Sequence, residues 1–148
     1  MALAGLLALA FLALTVDVAL SPRLQRGDWS GVASVLRSAQ PAHAVTTVEL
    51  GSAPLEYYLP SLRGLPSDES VRVTEIDETG YAPLRRNALD PPAPGFHLLE
   101  RRDIHGLIVY RFTSSAPVTI SERVLREHVI TPEVPPEVLV PVSSGKTF

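Results

Sequence analysis

The apolar N-terminal run is the feature that most constrains how this chain folds. Between Ala2 and Leu20 the sequence is almost entirely Ala, Leu, Val and Phe, and Asp17 is the one charged residue. As an α-helix, this run is roughly 28 Å long, which is close to the thickness of the hydrocarbon core of a bilayer. Asp17 falls in the last turn, where a carboxylate reaches the membrane interface, and Pro22 ends the helix. We therefore predict a transmembrane helix over residues 1–22.

Two other interpretations of this run stay open. A secretory signal peptide carries a basic residue before a shorter apolar stretch, whereas no Arg or Lys precedes this run. A helix buried in a soluble core would keep a polar face, and this run has none. Orientation is a separate question, because Arg23 and Arg26 follow the run and favour a cytoplasmic side for the rest of the chain. Earlier membrane helices in a longer protein would override that preference, and Met1 leading straight into apolar residues favours such an internal start.

Composition excludes several classes of function. The net charge of −3 provides no basic field that would attract nucleic acid, so no nucleic-acid partner is expected. The chain has no cysteine, which excludes disulfides, thiolate metal sites and cysteine nucleophiles. Neither property decides on which side of a membrane the chain lies.

The patterns after the apolar run predict a small α/β domain over residues 23–142 with a mixed sheet, followed by a tail at 143–148. In order, the predicted elements are a helix capped by Asp28, a strand at 44–50, a short helix capped by Ser52, a strand at 71–76, a β-hairpin of strands 96–101 and 107–112, a helix from Ser121 to about His128, and a strand at 138–142. Residues 79–95 are rich in Pro and Gly and predict an irregular loop. The first two strands flank a helix, so they are expected to form a parallel crossover.

An acidic cluster marks the end of the strand at 71–76. This strand alternates with period two, with Val71, Val73 and Glu75 on one face, and it is expected to be less buried than the strand at 44–50. Glu75, Asp77 and Glu78 provide carboxylates for acid–base chemistry, but solvated carboxylates at a strand end are the simpler interpretation.

No complete catalytic or metal-binding motif is present, and we predict no catalytic residue, metal ligand or cofactor. The histidines are dispersed, at His43, His97, His105 and His128, and only His97 and His105 share a hairpin that could bring them together. Nucleotide-binding glycine motifs and the G-x-S-x-G elbow are absent. Gly51-Ser52 after a strand is a weak candidate for holding an anion at a helix N-terminus, and a simple turn explains it equally well.

Three aromatic residues have two interpretations each. Trp29 lies a few residues after the apolar run, so it either contacts lipid headgroups or packs into the core. Tyr57 and Tyr58 lie on a short predicted helix that is expected to bury one ring and expose the other. An exposed tyrosine ring there is suited to stacking on a sugar.

Several short motifs follow one another after the apolar run. They are Asp28-Trp29 opening a helix that ends near Gln40, the strand AVTTVEL at 44–50, the helix motif Pro54-Leu55-Glu56-Tyr57-Tyr58-Leu59, and the segments Gly95-Phe96-His97-Leu98 and Tyr110-Arg111-Phe112. This order resembles the C-terminal region of bacterial GT-C superfamily membrane glycosyltransferases, in the family similar to dolichyl-phosphate-mannose–protein mannosyltransferases. The resemblance covers most of residues 1–142 and implies sugar transfer from a polyprenyl phosphate to a glycan or protein acceptor outside the cell membrane. The catalytic carboxylates of that family lie in an early extracytoplasmic loop, to which no position here corresponds.

The expected function is therefore that of a non-catalytic C-terminal part of a membrane glycosyltransferase, which supports acceptor docking or the catalytic loops. Its partners would be the lipid bilayer and, through the parent protein, the polyprenyl-phosphate sugar and the acceptor. A stand-alone, single-span binding or assembly protein is the second hypothesis. A hydrolase with an unrecognised site is the third.

Overall fold

A mixed six-stranded sheet forms the body of the protein in the computed structural model, which describes residues 5, 7, 9, 11–15, 27–132 and 134–142. In chain order the elements are helix α1 (Trp29–Leu36), strand β1 (His43–Val48), helix α2 (Ser52–Tyr58), strands β2 (Leu62–Gly64), β3 (Ser70–Gly80), β4 (Phe96–Ile104) and β5 (Leu107–Ser121), helix α3 (Glu122–Glu127) and strand β6 (Pro136–Pro141). The strand order is β2-β6-β1-β3-β5-β4. Strands β1 and β3 are parallel and every other pair is antiparallel, which confirms both the mixed α/β fold and the predicted parallel crossover.

Most of the predicted membrane helix lies outside the described residues. Residues 11–15 are helical, and the Thr15 hydroxyl donates to the carbonyl oxygen of Phe11 at 2.8 Å. In the ranges that the structure describes, no helix is long and apolar enough to cross a membrane. The span over 1–22 therefore stays a prediction. The tail at 143–148 also lies outside the described residues.

Helix α1 begins where its sequence predicts. The Asp28 carboxylate accepts from the backbone N–H of Gly31 at 2.8 Å, which satisfies one of the free amides of the first turn. Val32, Ala33 and Leu36 form its buried face. The helix ends at Leu36, before Pro41 is reached.

The sheet buries apolar side chains on both faces. Helices α1 and α2 cover one face, where their side chains pack on those of β1, β5 and β6; this cluster contains Val32, Leu36, Val45, Leu55, Leu62, Leu107, Val109 and Leu139. The opposite face carries a larger cluster that includes Ile76, Phe112, Leu125 and Ile130, to which α3 contributes. Central strands covered on both faces must bury every side chain, including polar ones, and this decides the environment of β3.

Strand β3 differs from its prediction in length and in burial. It runs from Ser70 to Gly80, and its second half is fully buried rather than partly exposed. The register against β5 shifts between Val73, which pairs with Val118, and Glu75, which pairs with Thr113. This irregularity places Glu75 and Val73 on different faces, so the simple alternation from Val71 to Glu75 was wrong. Between these two pairs β3 advances by two residues and β5 by five, so the regular alternation is interrupted there: Val73 packs in the cluster that contains Ile76, whereas Glu75 lies beside Arg111.

The hairpin of β4 and β5 is confirmed, with strands longer than predicted. Its turn consists of His105 and Gly106, which both have positive φ, at 47° and 91°. Two successive residues with positive φ are the requirement of the type I′ turns that join twisted antiparallel strands. The loop that follows Gly80 and the helix capped by the Ser121 hydroxyl also match their predictions.

Candidate functional site

A buried charge cluster joins β3 and β5 on the face covered by α1. Nε of Arg111 donates to Oδ1 of Asp77 at 2.8 Å and lies 3.1 Å from Oε1 of Glu75. The two carboxylates and the guanidinium are almost completely excluded from solvent. The predicted solvated carboxylates at the end of β3 are therefore a wrong interpretation, because the strand continues beneath α1 and takes them into the interior.

The remaining donors of Arg111 hold the end of helix α1. Its Nη2 donates to the carbonyl oxygen of Val35 at 3.1 Å, and its Nη1 donates to the Ser38 hydroxyl at the same distance. The last carbonyls of a helix lack intrahelical partners and carry the negative end of its dipole. The guanidinium thus stabilises both a pair of carboxylates and a helix C-terminus.

The electrostatics of this cluster raise the pKa of Asp77. Burial raises the pKa of Asp77 from 3.8 to about 7, the bond from Arg111 opposes that rise, and the neighbouring Glu75 adds to it. Oδ2 of Asp77 is buried and has no hydrogen-bond partner among the described residues. Burial alone would lower the pKa of Arg111, but the bond to Asp77 raises it above its usual value.

A second buried pair lies on the opposite face of β3. Nδ1–H of His128 donates to Oε1 of Glu78 at 2.8 Å, and the His128 ring meets Phe112 edge-on at 6.3 Å between centroids. Burial raises the pKa of Glu78, whereas the bond to Glu78 raises the pKa of His128. Glu78 Oε2 and His128 Nε2 are buried without a partner in the part of the chain that the structure describes. Because both side chains are enclosed, a substrate cannot reach them, and their role is to stabilise the fold.

An open cleft lies at the amino-terminal end of β1, where sequence reasoning placed nothing. It consists of two adjoining cavities of about 320 Å³ and about 440 Å³ that share Pro41, His43, Ser61 and Pro141. Sites for small molecules commonly have volumes of roughly 300–1,000 Å³. We call these two cavities together the β1 cleft. Its further polar side chains are those of Arg37, Gln40 and Arg72, and none of the described residues that line it is acidic.

His43 presents a defined hydrogen-bonding group in the β1 cleft. Its Nδ1 lies 2.6 Å from the carbonyl oxygen of Gln40, and a carbonyl only accepts, so Nδ1 carries the proton. Burial lowers the pKa of His43, while the bond to Gln40 opposes that effect. The ring is therefore neutral at neutral pH, and its Nε2 carries a lone pair. No hydrogen bond to Nε2 is formed by the residues described.

The candidate anion site at Gly51-Ser52 is already occupied by the protein itself. Gly51, not Ser52, is the N-cap of α2, and the backbone N–H of Ser52 donates to Oε2 of Glu137 at 2.9 Å. The predicted capping role of Ser52 was wrong, because the carboxylate from β6 supplies the acceptor that a capping side chain would otherwise provide.

The aromatic residues are arranged differently from the prediction. Tyr57 is 79% exposed and Tyr58 is 38% exposed, so neither ring enters the core. Their centroids are 5.1 Å apart at an interplanar angle of 82°, an edge-to-face pair. Trp29 packs, partly buried, against the cluster beneath α1 and α2. This packing is the core interpretation of Trp29, and headgroup contact stays untested.

The histidines do not converge. His97 pairs with Thr113 near one end of β4, and His105 lies in the turn at the other end, so about 25 Å of extended strand separates them. Nδ1–H of His105 donates to Oδ2 of Asp28 at 3.0 Å. Among the described residues, no group of three or more His, Asp or Glu side chains is close enough to hold a metal ion.

Comparisons of this chain with protein-family models, with curated proteins and with solved structures found no match. The resemblance to GT-C membrane glycosyltransferases therefore rests on the motifs quoted for it, and the function it implies stays a prediction.

Proposed function

We propose that this chain is the non-catalytic C-terminal part of a membrane glycosyltransferase that uses a polyprenyl-phosphate sugar. In this proposal the apolar N-terminal helix spans the cell membrane and residues 23–142 lie on its outer side. The domain supports acceptor docking or steadies the catalytic loops of the parent protein. The resemblance of its motifs to the GT-C family supplies the reaction class.

The observation that carries the proposal is the exposure of the N-terminal apolar side chains. Leu7, Leu9, Phe11, Leu12 and Leu14 are each between 60% and 74% exposed. At 100° per residue these positions point to several sides of a helix, so a single contact with the domain would not cover them. A bilayer covers such a helix on all sides at once.

The use of the charged residues supports a non-catalytic role. Arg111 serves two carboxylates and the end of α1, while Glu78 is paired with His128 in the interior. Asp28 caps α1 and binds His105. These groups contribute to the fold.

The reading frame upstream of Met1 distinguishes this proposal from a stand-alone, single-span binding protein. An open reading frame that continues upstream in the same register, and encodes further membrane helices and an extracytoplasmic loop with acidic residues, supports the glycosyltransferase proposal. A stop codon with a ribosome-binding site would contradict it and leave the β1 cleft as the basis for a binding role. In a parent enzyme, deletion of residues 28–148 is expected to reduce glycan transfer at equal abundance in membranes. Unchanged transfer would contradict the proposal.

Orientation is testable because the chain contains no cysteine. Glu56 is exposed on α2, so Glu56→Cys in a parent protein whose other cysteines are replaced by serine should react in intact cells with a membrane-impermeant maleimide. The matched control is Leu7→Cys, which the proposal places in lipid and which should stay unlabelled. Labelling of Cys at position 56 only after cell lysis would place the domain in the cytoplasm and contradict the proposal.

A further inference from the structure

Strand β3 extends beyond the start of β1, so one of its edges lacks a neighbouring strand there. Residues 70–73 pair with β5 on one side. The pairing of β3 with β1 on the other side begins only at Glu75, which lies opposite His43. The chain ahead of β1 reaches β3 at Ala42, whose carbonyl oxygen accepts from the Thr74 N–H at 2.8 Å. The described residues therefore place no strand beside residues 70–73 on the side away from β5, and we call this side the free β3 edge.

The free β3 edge opens into the β1 cleft. Val71, Arg72 and Val73 line the second cavity of the cleft, which has a volume of about 440 Å³. In an antiparallel pair, every second residue of a strand directs its N–H and C=O groups away from the partner strand. A free edge of four residues is about 13 Å long and presents two such residues. An extended peptide that lies in line with β1 would pair with these groups, as peptides do when they add to a sheet.

The first cavity of the cleft is suited to an apolar side chain of such a peptide. This cavity has a volume of about 320 Å³, and Leu36, Leu59 and Leu62 line it on the face of the sheet that α1 and α2 cover. Successive side chains of a strand alternate between the two faces of a sheet. Every second side chain of the added peptide would therefore point toward this face.

Two guanidinium groups give the β1 cleft a positive charge. Arg37 lines the first cavity and Arg72 the second, and none of the described lining residues is acidic. Val71 and Val73 pack in the cluster on the opposite face, so the alternation of β3 places Arg72 on the face that α1 covers, where Arg37 follows α1 as its C-cap. Neither guanidinium forms an ion pair with a carboxylate of the described residues. Acidic side chains on the same face of the peptide as the apolar one would complement both.

We propose that the β1 cleft binds an extended acidic peptide of a partner protein, which adds to the free β3 edge as a strand in line with β1. The peptide backbone pairs with residues 70–73, and an apolar side chain enters the cavity beside Leu36. Acidic side chains two positions before and after the apolar one pair with Arg37 and Arg72. This proposal goes beyond the proposed function, because the same edge serves a glycosyltransferase part and a stand-alone binding protein alike.

The test titrates the synthetic peptide acetyl-DTLTD-amide into the full chain in lipid nanodiscs and follows the backbone ¹H–¹⁵N spectrum. The peptide has the same residue order in both directions, so either strand polarity places its leucine between two aspartates on one face. Binding should shift the amide resonances of residues 70–73 and slow the exchange of their hydrogens with water. Acetyl-KTLTK-amide should bind more weakly because its lysines face Arg37 and Arg72. The DTLTD peptide with N-methylated backbone amides should not bind, because it lacks the donors that pair with a strand edge.

Arg72→Glu should weaken binding of acetyl-DTLTD-amide about tenfold, since an exposed attraction is replaced by a repulsion. The same variant should bind acetyl-KTLTK-amide more tightly than the unmodified chain does, and damage to the fold cannot produce such a gain. Arg86→Glu, at an exposed position of the loop after β3, makes the same change in net charge. It is the matched control and should bind both peptides as the unmodified chain does.

Equal affinity for the acidic, basic and N-methylated peptides would overturn the proposal. Shifts confined to β4, whose outer edge also lacks a neighbouring strand in the described sheet, would overturn it as well. The proposal is also wrong if the amides of residues 70–73 are protected from exchange before peptide is added and become exposed when residues 143–148 are deleted, since the chain would then fill its own edge. None of these outcomes bears on the upstream reading frame or on membrane orientation, so this proposal and the proposed function fail separately.

Discussion

Protonation of Asp77 makes the stability of this domain depend on pH. In the folded protein, burial raises the pKa of Asp77 to about 7, whereas its ordinary value is 3.8. A raised pKa means that the folded state binds the proton more tightly than the unfolded state. The stability that this proton contributes is fully present below about pH 4 and is lost as pH rises through about 7.

The size of the effect follows from the two pKa values. Their difference, from 3.8 to about 7, is roughly three pKa units, and each unit corresponds to 1.36 kcal/mol. Ionisation of Asp77 therefore lowers the free energy of unfolding by about 4 kcal/mol once the pH is above about 7. A domain with a total stability of about 5–15 kcal/mol would show this change clearly. Asp77→Asn replaces the carboxyl group with a neutral amide whose oxygen still accepts from Arg111, so it should remove this dependence.

The assay is urea unfolding from about pH 4 to about pH 8, followed through the fluorescence of the single tryptophan, which is partly buried at position 29. Asp77→Asn should match the unmodified chain at low pH and exceed its stability at high pH. The Glu78–His128 pair also makes the free energy of unfolding fall as pH rises, because the pKa values of both groups are raised. This contribution is the same in the unmodified and Asp77→Asn chains, so it cancels when the two profiles are subtracted. Asp103→Asn, at an exposed position of β4, is the control. Parallel pH profiles for the unmodified and Asp77→Asn chains would refute the reasoning.

Three further substitutions test other contacts by the same unfolding assay. Gly51→Ala should destabilise the domain by about 1–3 kcal/mol, since a Cβ would lie 2.7 Å from the Trp29 ring, whereas Gly64→Ala meets open space and should be nearly neutral; equal effects would contradict the packing. Asp28→Ala removes the cap of α1 and should lower the free energy of unfolding by about 0.5–2 kcal/mol. Unchanged stability would contradict the capping role. Arg111→Met leaves Glu75 and Asp77 buried without their cation and should cost about 3–5 kcal/mol at neutral pH. A smaller loss than that of Asp28→Ala would contradict the buried cluster.

Local signals in the sequence were sufficient to predict most of the helices and strands. The Asp28 and Ser121 caps, the period of the apolar residues in α1 and the turn residues of the hairpin each act within a few positions of the chain. Such signals do not depend on which strands become neighbours. They therefore predicted the helices and strands of residues 27–142 except the short strand β2, and they made β3 shorter than it is.

The buried carboxylates could not be predicted in the same way. Whether Asp77 is solvated depends on its pairing with Arg111, which lies 34 residues further along the chain, and on the helix that covers both. One signal was present, since Arg111 interrupts an otherwise apolar and aromatic strand and therefore requires an acidic partner if the strand is central. The β1 cleft gave no comparable signal, because its residues come from the ends of separate elements.

The contacts of helix α1 determine whether the domain can move relative to the chain that precedes it. At the start of α1, Asp28 binds His105 in the turn of the hairpin, and at its end Val35 and Ser38 bind Arg111 on the same hairpin. An eight-residue helix is about 12 Å long, which is the length of roughly four residues of strand, so α1 can be held at both ends by one hairpin. A helix fixed in this way does not swing as a linker. Under the proposed function, the orientation of the sheet relative to the chain at Gly27 is then set by the fold.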